Sequence, residues 1–133
     1  MPFSYRLLIL FAMIFCHLID DYKLQGILAQ MKQKSWWRKQ TDNQLYKNDY
    51  KIALIEHAFS WSFTTTLPLL YIAITQDNNI LIWMLIIFYI INTIIHAFID
   101  NQKANAHTIN LVDDQVIHLF QILYTWIIAC AAI

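Results

Sequence analysis

The chain has 133 residues, 59% of them apolar and 14% charged, with a net charge of zero and a mean hydropathy of +0.44. That length fits one domain, residues 1–133, and the composition lacks the polar exterior of a water-soluble one. Zero net charge leaves no global field to recruit nucleic acid, and one Gly with two Pro is little turn material for a many-stranded fold.

The first apolar run predicts a helix over residues 3–25. Arg6 followed by an apolar stretch imitates a signal peptide, but no small-x-small cleavage site follows and the run continues into HLIDDYKLQ. It is read as a retained helix. Residues 32–50 follow, rich in Lys and Arg, with the pair Trp36-Trp37. A Trp pair beside cations next to an apolar helix fits an interfacial anchor, so this segment predicts a short amphipathic helix on the membrane surface. Further apolar runs predict helices over 52–74, 80–99 and 111–133, each about long enough to cross a bilayer. Continuous apolar runs without alternation exclude a barrel. The short link Gln76-Asp77-Asn78-Asn79 makes the second and third helices antiparallel neighbours. Cys16 and Cys130 lie in apolar runs and form no metal or disulfide motif. The expected fold is all-α: an integral membrane four-helix bundle with an interfacial helix between its first two members.

The first loop carries Lys32, Lys34, Arg38, Lys39, Lys47 and Lys51; the second carries no Lys or Arg, and the third only Lys103. The positive-inside rule then puts the first and third loops in the cytoplasm and both termini outside, in a bacterial inner membrane.

On these helices His17 and Asp21, His96 and Asp100, and Asp114 and His118 each stand one turn apart, so each pair shares a helix face. His57 lies near the same end of the second helix. Orientation was set by Lys and Arg alone, yet it brings all seven groups to one membrane face. Imidazole with carboxylate suits zinc, manganese or iron, so His17, Asp21, His57, His96, Asp100, Asp114 and His118 are the candidate ligands of a divalent metal. Asp20, Glu56, His107 and Asp113 are expected to face headgroups or cytoplasm, with Glu56 also weighed as a general base. The competing reading is that the His–Asp pairs only fix helix packing. No GxSxG, phosphate-cradling glycine loop or CxxC occurs.

The blocks HLIDDYKLQ (17–25), KSWW (34–37), EHAFSW (56–61), HAFIDNQK (96–103) and DQVIHLFQI (114–122) occur in this order. Together they resemble a family of small bacterial and phage membrane proteins, a domain of unknown function. Its pattern reads HLxxDxxLQ, KSWW, HA, HxxxDxxK and DQxxH. The resemblance spans nearly the whole chain and implies motif positions at His17, Asp21, Gln25, His57, His96, Asp100, Lys103, Asp114, Gln115 and His118. The chain departs from it at Asp20, where a small or apolar residue is usual. In style it is also similar to inner-membrane metal-dependent hydrolases with His and Asp on helices.

The expectation is a metal-dependent hydrolase of a phosphoester or phosphoanhydride on an anionic amphipathic or nucleotide-like substrate. Asp21, His57, Asp100 and Asp114 are its catalytic candidates, and Gln25, Lys103 and Gln115 its substrate contacts. The lipid bilayer is its surroundings, and a second copy of the chain is an open option. The alternatives are a metal-ion or proton-coupled carrier and a non-catalytic phage membrane protein that binds a host partner.

Overall fold

The computed structural model describes all residues, 1–133, and is helical throughout, with no strand. Helix α1 (Phe3–Ile19) runs into a π-helical turn, Asp20–Leu24. Two short helices follow, α2 (Leu28–Met31) and α3 (Lys34–Gln40), then a 3-10 turn at Gln44–Tyr46. The remaining long helices are α4 (Asp49–Thr75), α5 (Asn79–Asn101), extended by a π-helical turn Gln102–Ala106, and α6 (Leu111–Ala129). Helix α4 packs against α1 and α5, and α6 against α5 and α1, which closes a ring of four. Two of these, Phe3–Leu24 and Asn79–Ala106, are long and apolar enough to cross a membrane.

The stops are local chemistry. Gly26 (φ 49°) turns the chain back after the first π turn, a left-handed backbone that costs glycine nothing. Asp77 (φ 49°) and His107 (φ 55°) take the other left-handed turns without glycine. The Asn78 side chain accepts from the Leu81 N–H at 3.0 Å and starts α5. Asn110 and Asp113 form a reciprocal capping box at the start of α6.

The expected single surface helix over 32–50 is broken. Only Lys34–Gln40 is α-helical, and Thr41 is extended. Thr41 Oγ1 accepts from the Asn43 N–H at 3.1 Å, and Asn43 Oδ1 from the Leu45 N–H at 2.9 Å. These local bonds offer the backbone an alternative to the helix, and the helix stops. The segment is instead a strap. Asn105, in the π turn after α5, accepts from the Lys34 N–H at 2.7 Å and donates to the Lys32 carbonyl at 3.0 Å. Trp37 Nε1 donates to the Met31 carbonyl at 2.7 Å, and its ring stacks on Tyr46.

The interior is layered. Towards the chain termini and the 76–79 link it is apolar, built on Met13, Leu69, Ala73, Leu81, Leu85 and Ala129. Towards the strap it is polar: of 28 buried residues, half are polar or charged, while Phe11, Phe15, Ile90 and Phe120 are more than half exposed. A soluble domain distributes these classes the other way round.

The apolar layer gives a direct test. Leu85→Ala removes a side chain only 1% exposed and should destabilise the fold by about 2–4 kcal/mol. Ile90→Ala, at a 58% exposed position, should be close to neutral. Thermal unfolding of the purified protein in one detergent measures both.

Candidate metal centre

The polar layer is one cluster. Asp21, His57, His96, Asp100, Asp114 and His118 are all buried, and the sequence-expected i, i+4 pairs do share faces. His17 Nδ1 lies 3.5 Å from Asp21 Oδ2, His96 Nε2 3.8 Å from Asp100 Oδ1, and His118 Nε2 3.3 Å from Asp114 Oδ1. Contacts between helices knit the pairs together. His57 Nε2 lies 3.5 Å from Asp21 Oδ1, 3.3 Å from Asp100 Oδ2 and 3.3 Å from His96 Nε2. His118 Nε2 lies 3.4 Å from Asp100 Oδ1. Two overlapping triads, Asp21-His57-His96 and His96-Asp100-His118, each bring their ligand atoms within 4.8 Å of one another.

The surrounding hydrogen bonds decide which ring atoms face the centre. Gln121 Nε2 faces the Asn92 carbonyl at 3.4 Å, which can only accept, so Gln121 Oε1 is the atom presented to His118 Nδ1 at 3.1 Å. His118 therefore carries a proton on Nδ1 and aims Nε2 at two carboxylates. That arrangement calls for positive charge at Nε2, supplied either by a second proton on the ring or by a cation held between ring and carboxylates. Asp20 stands behind His57 without a hydrogen bond to it: His57 Nδ1 lies 3.7 Å from Asp20 Oδ2, and both atoms lack partners, while Asp20 Oδ1 accepts from Ser60 Oγ at 2.8 Å and Thr64 Oγ1 at 3.2 Å. A carboxylate behind a histidine is the usual orienting partner of a metal-binding imidazole. The buried atoms Asp21 Oδ1 and Asp114 Oδ1 have no hydrogen-bond partner, and both face this centre. Imidazole nitrogens, carboxylate oxygens and unpartnered anionic atoms in one place fit a divalent cation.

His17 stands apart from its expected role as a ligand. Trp61 Nε1 donates to His17 Nδ1 at 2.8 Å, so the neutral ring carries its proton on Nε2 and has no free lone pair. It belongs to neither triad. Gln115 Nε2 donates to Asp21 Oδ2 at 3.1 Å and Asp114 Oδ2 at 3.2 Å, bridging two carboxylates. Lys103 Nζ pairs with Asp114 Oδ2 at 2.7 Å. Gln25 donates to the Asp21 carbonyl, and its Oε1 is buried without a partner.

Three residues of the cluster and its surround escape sequence reasoning. Asp20 was expected to face outward and is fully buried, because α1 is packed on two sides and buries an arc wider than one residue. Lys32, taken as a loop cation, reaches Asp100 Oδ2 at 2.6 Å with its side chain 12% exposed. Trp61 is fully buried, stacks on His96 at 4.3 Å between ring centroids, and lies edge-on to His17 at 5.7 Å. Its one-turn spacing from His57 was the available signal. Glu56, His107 and Asp113 are exposed as expected, which leaves Glu56 away from the cluster and removes it as a general base.

Asp20→Asn keeps the shape but weakens the hold on His57, so the cluster's divalent-ion affinity should fall about 10–100-fold. Glu56→Gln, on the same stretch of α4, should leave it unchanged. Equilibrium dialysis with metal analysis reads both, and equal losses in the two variants would remove the orienting role of Asp20.

The chain matches no known family model, and no curated protein or solved structure is similar to it.

Proposed function

We propose that the chain is a multi-pass inner-membrane protein whose buried cluster is a divalent-metal centre for hydrolysis of a phosphoester or phosphoanhydride. The observation that carries this reading is the pair of overlapping triads, Asp21-His57-His96 and His96-Asp100-His118, with Asp114 beside His118 and unpartnered oxygens on Asp21 and Asp114. The four long helices would all cross the bilayer, with loops one and three cytoplasmic and both termini external. Outward Phe and Ile would meet lipid, and the polar interior would sit at headgroup depth.

Charge favours a cation here. Asp20, Asp21, Asp100 and Asp114 are buried carboxylates, and Lys32 and Lys103 are the ammoniums paired with the cluster. With neutral imidazoles the cluster keeps a net negative charge, which favours binding of a divalent ion. Four or five ligands complete one such site. When bound, that ion supplies an activated water at neutral pH and offsets charge developing on a phosphoryl group. Asp21, His57, Asp100 and Asp114 would hold the centre and manage protons beside it, while Gln115, Gln25 and Lys103 would line the approach for an anionic substrate.

One observation favours a second reading, a carrier. Buried Ser62, Thr65, Thr66, Asn92, Gln121 and Thr125 extend the polar layer beyond the histidines. Leu69, Leu81, Leu85 and Ala129, each no more than 1% exposed, then close the interior. A closed far side and a cluster near one end suit a site served from one face better than a route across.

Two measurements test the proposal. Purified protein should contain about one tightly bound divalent ion per chain, and Asp100→Asn with Asp114→Asn together should abolish it along with hydrolysis. Full occupancy and activity in the double variant would leave only the packing role. In intact cells lacking Cys16 and Cys130, Asn78→Cys should react with a membrane-impermeant thiol reagent and Lys39→Cys should not. External labelling at position 39 would reverse or abolish the topology.

A further inference from the structure

Lys32 is the more deeply buried of the two ammoniums that the metal reading leaves in conflict, its side chain 12% exposed against 34% for Lys103. Its ammonium lies 2.6 Å from Asp100 Oδ2, the oxygen that also faces His57 Nε2 at 3.3 Å. A divalent ion bound between those two atoms would therefore meet a second cation on the same carboxylate, and like charges at such separation in a poorly solvated site repel strongly. Lys32 cannot be dismissed as a chance surface pair. Its carbonyl is pinned by Asn105 and the preceding Met31 carbonyl by Trp37, so the strap is built to deliver this side chain. The four-carbon stem is flexible and the side chain keeps 12% exposure, which gives the ammonium a way to turn outward without moving the strap. Lys103 reaches Asp114 Oδ2 from the third loop with its side chain 34% exposed. The two ammoniums thus reach the carboxylates from the loop side of the bundle, where a ligand arriving from that side meets them first.

We propose that Lys32 is a displaceable internal counter-ion: it holds Asp100 in the metal-free protein and turns onto a phosphate group when a divalent cation takes Asp100. The inference rests on the metal-centre reading and adds to it the class of anion and the residue that receives it. It makes binding of metal and phosphate cooperative, because the metal frees the ammonium and the freed ammonium binds the anion. A compact point charge on a mobile stem is a common phosphate contact, and here it would face a phosphate monoester, either free or at the head of a lipid.

The test uses full-length protein in detergent, as wild type, Lys32→Gln and Lys32→Arg, with manganese as the metal and inorganic phosphate as the anion. Removing the competing charge should tighten manganese binding in Lys32→Gln by at least tenfold. Phosphate should raise the unfolding temperature of wild type and Lys32→Arg only when manganese is present, and should do nothing for Lys32→Gln. Repeating the titration in nanodiscs with and without phosphatidic acid shows whether the headgroup replaces free phosphate. An unchanged phosphate response in Lys32→Gln, or unchanged or weaker manganese binding, overturns the inference. So does an equal phosphate response without manganese in wild type, a result that decides alone if Lys32→Gln fails to accumulate. Wild-type protein that binds no metal overturns the metal centre and this inference together, whereas metal binding without the Lys32-dependent response overturns only the latter.

Discussion

Four carboxylates stand together with little water around them, and their mutual repulsion is the constraint that the loop-side half of the bundle answers. Two unit charges about 4 Å apart at an effective dielectric near 20 repel by about 4 kcal/mol, so the set is tolerable only with compensation at every member. Each member has its own. Asp20 takes two hydroxyl donors from α4, Asp21 takes the Gln115 amide, Asp100 takes Lys32 and Asp114 takes Lys103. Unpartnered buried atoms remain at the centre, on Asp21 Oδ1 and Asp114 Oδ1, and also behind it, on Asp20 Oδ2, His57 Nδ1 and His96 Nδ1. A network built only for packing would leave no such deficit among its buried polar atoms.

The helix ends are shaped by the same requirement. Asp20 and Asp21 lie in one π-helical turn, and the other follows Asp100 and carries Lys103. Such turns interrupt the regular α-helical ladder and commonly mark functional positions. The strap then crosses from the end of α1 to the end of α5, where Asn105 binds it on both sides of Gln33. Loops one and three, far apart in sequence, become one structure over the cluster, and the histidines are held from the opposite side by the Asn92–Gln121–Thr125 amide and hydroxyl chain.

Much of this was legible in the sequence because it depends on helical period alone. The spacing of His17 and Asp21, His96 and Asp100, and Asp114 and His118 fixes a common face whatever the neighbours do. The helices were placed within a few residues, although α4 begins at Asp49 rather than Ile52 and α6 ends at Ala129. What escaped depends on partners across the bundle. Whether Asp20 points in or out is settled by Ser60 and Thr64 on another helix. The reach of Lys32 is set by a turn at Gly26 and by a hydrogen bond from Asn105. His17 changes role because an indole on α4 takes its lone pair. Periodicity says which residues share a face; only packing says which of them are first to touch an ion and which stand behind.

Trp61 gives this centre an optical property of its own. Its indole, fully buried, lies against His96 and His118 with ring centroids 4.3 and 5.4 Å away, while the other four tryptophans belong to the strap or to the outer parts of α5 and α6. An ion held by those imidazoles would sit within a few ångströms of an excited indole. Open-shell manganese or iron would drain that emission, whereas closed-shell zinc would leave most of it intact. The fluorescence of a single buried ring would then separate the candidate ions by electronic configuration, without any assay of turnover.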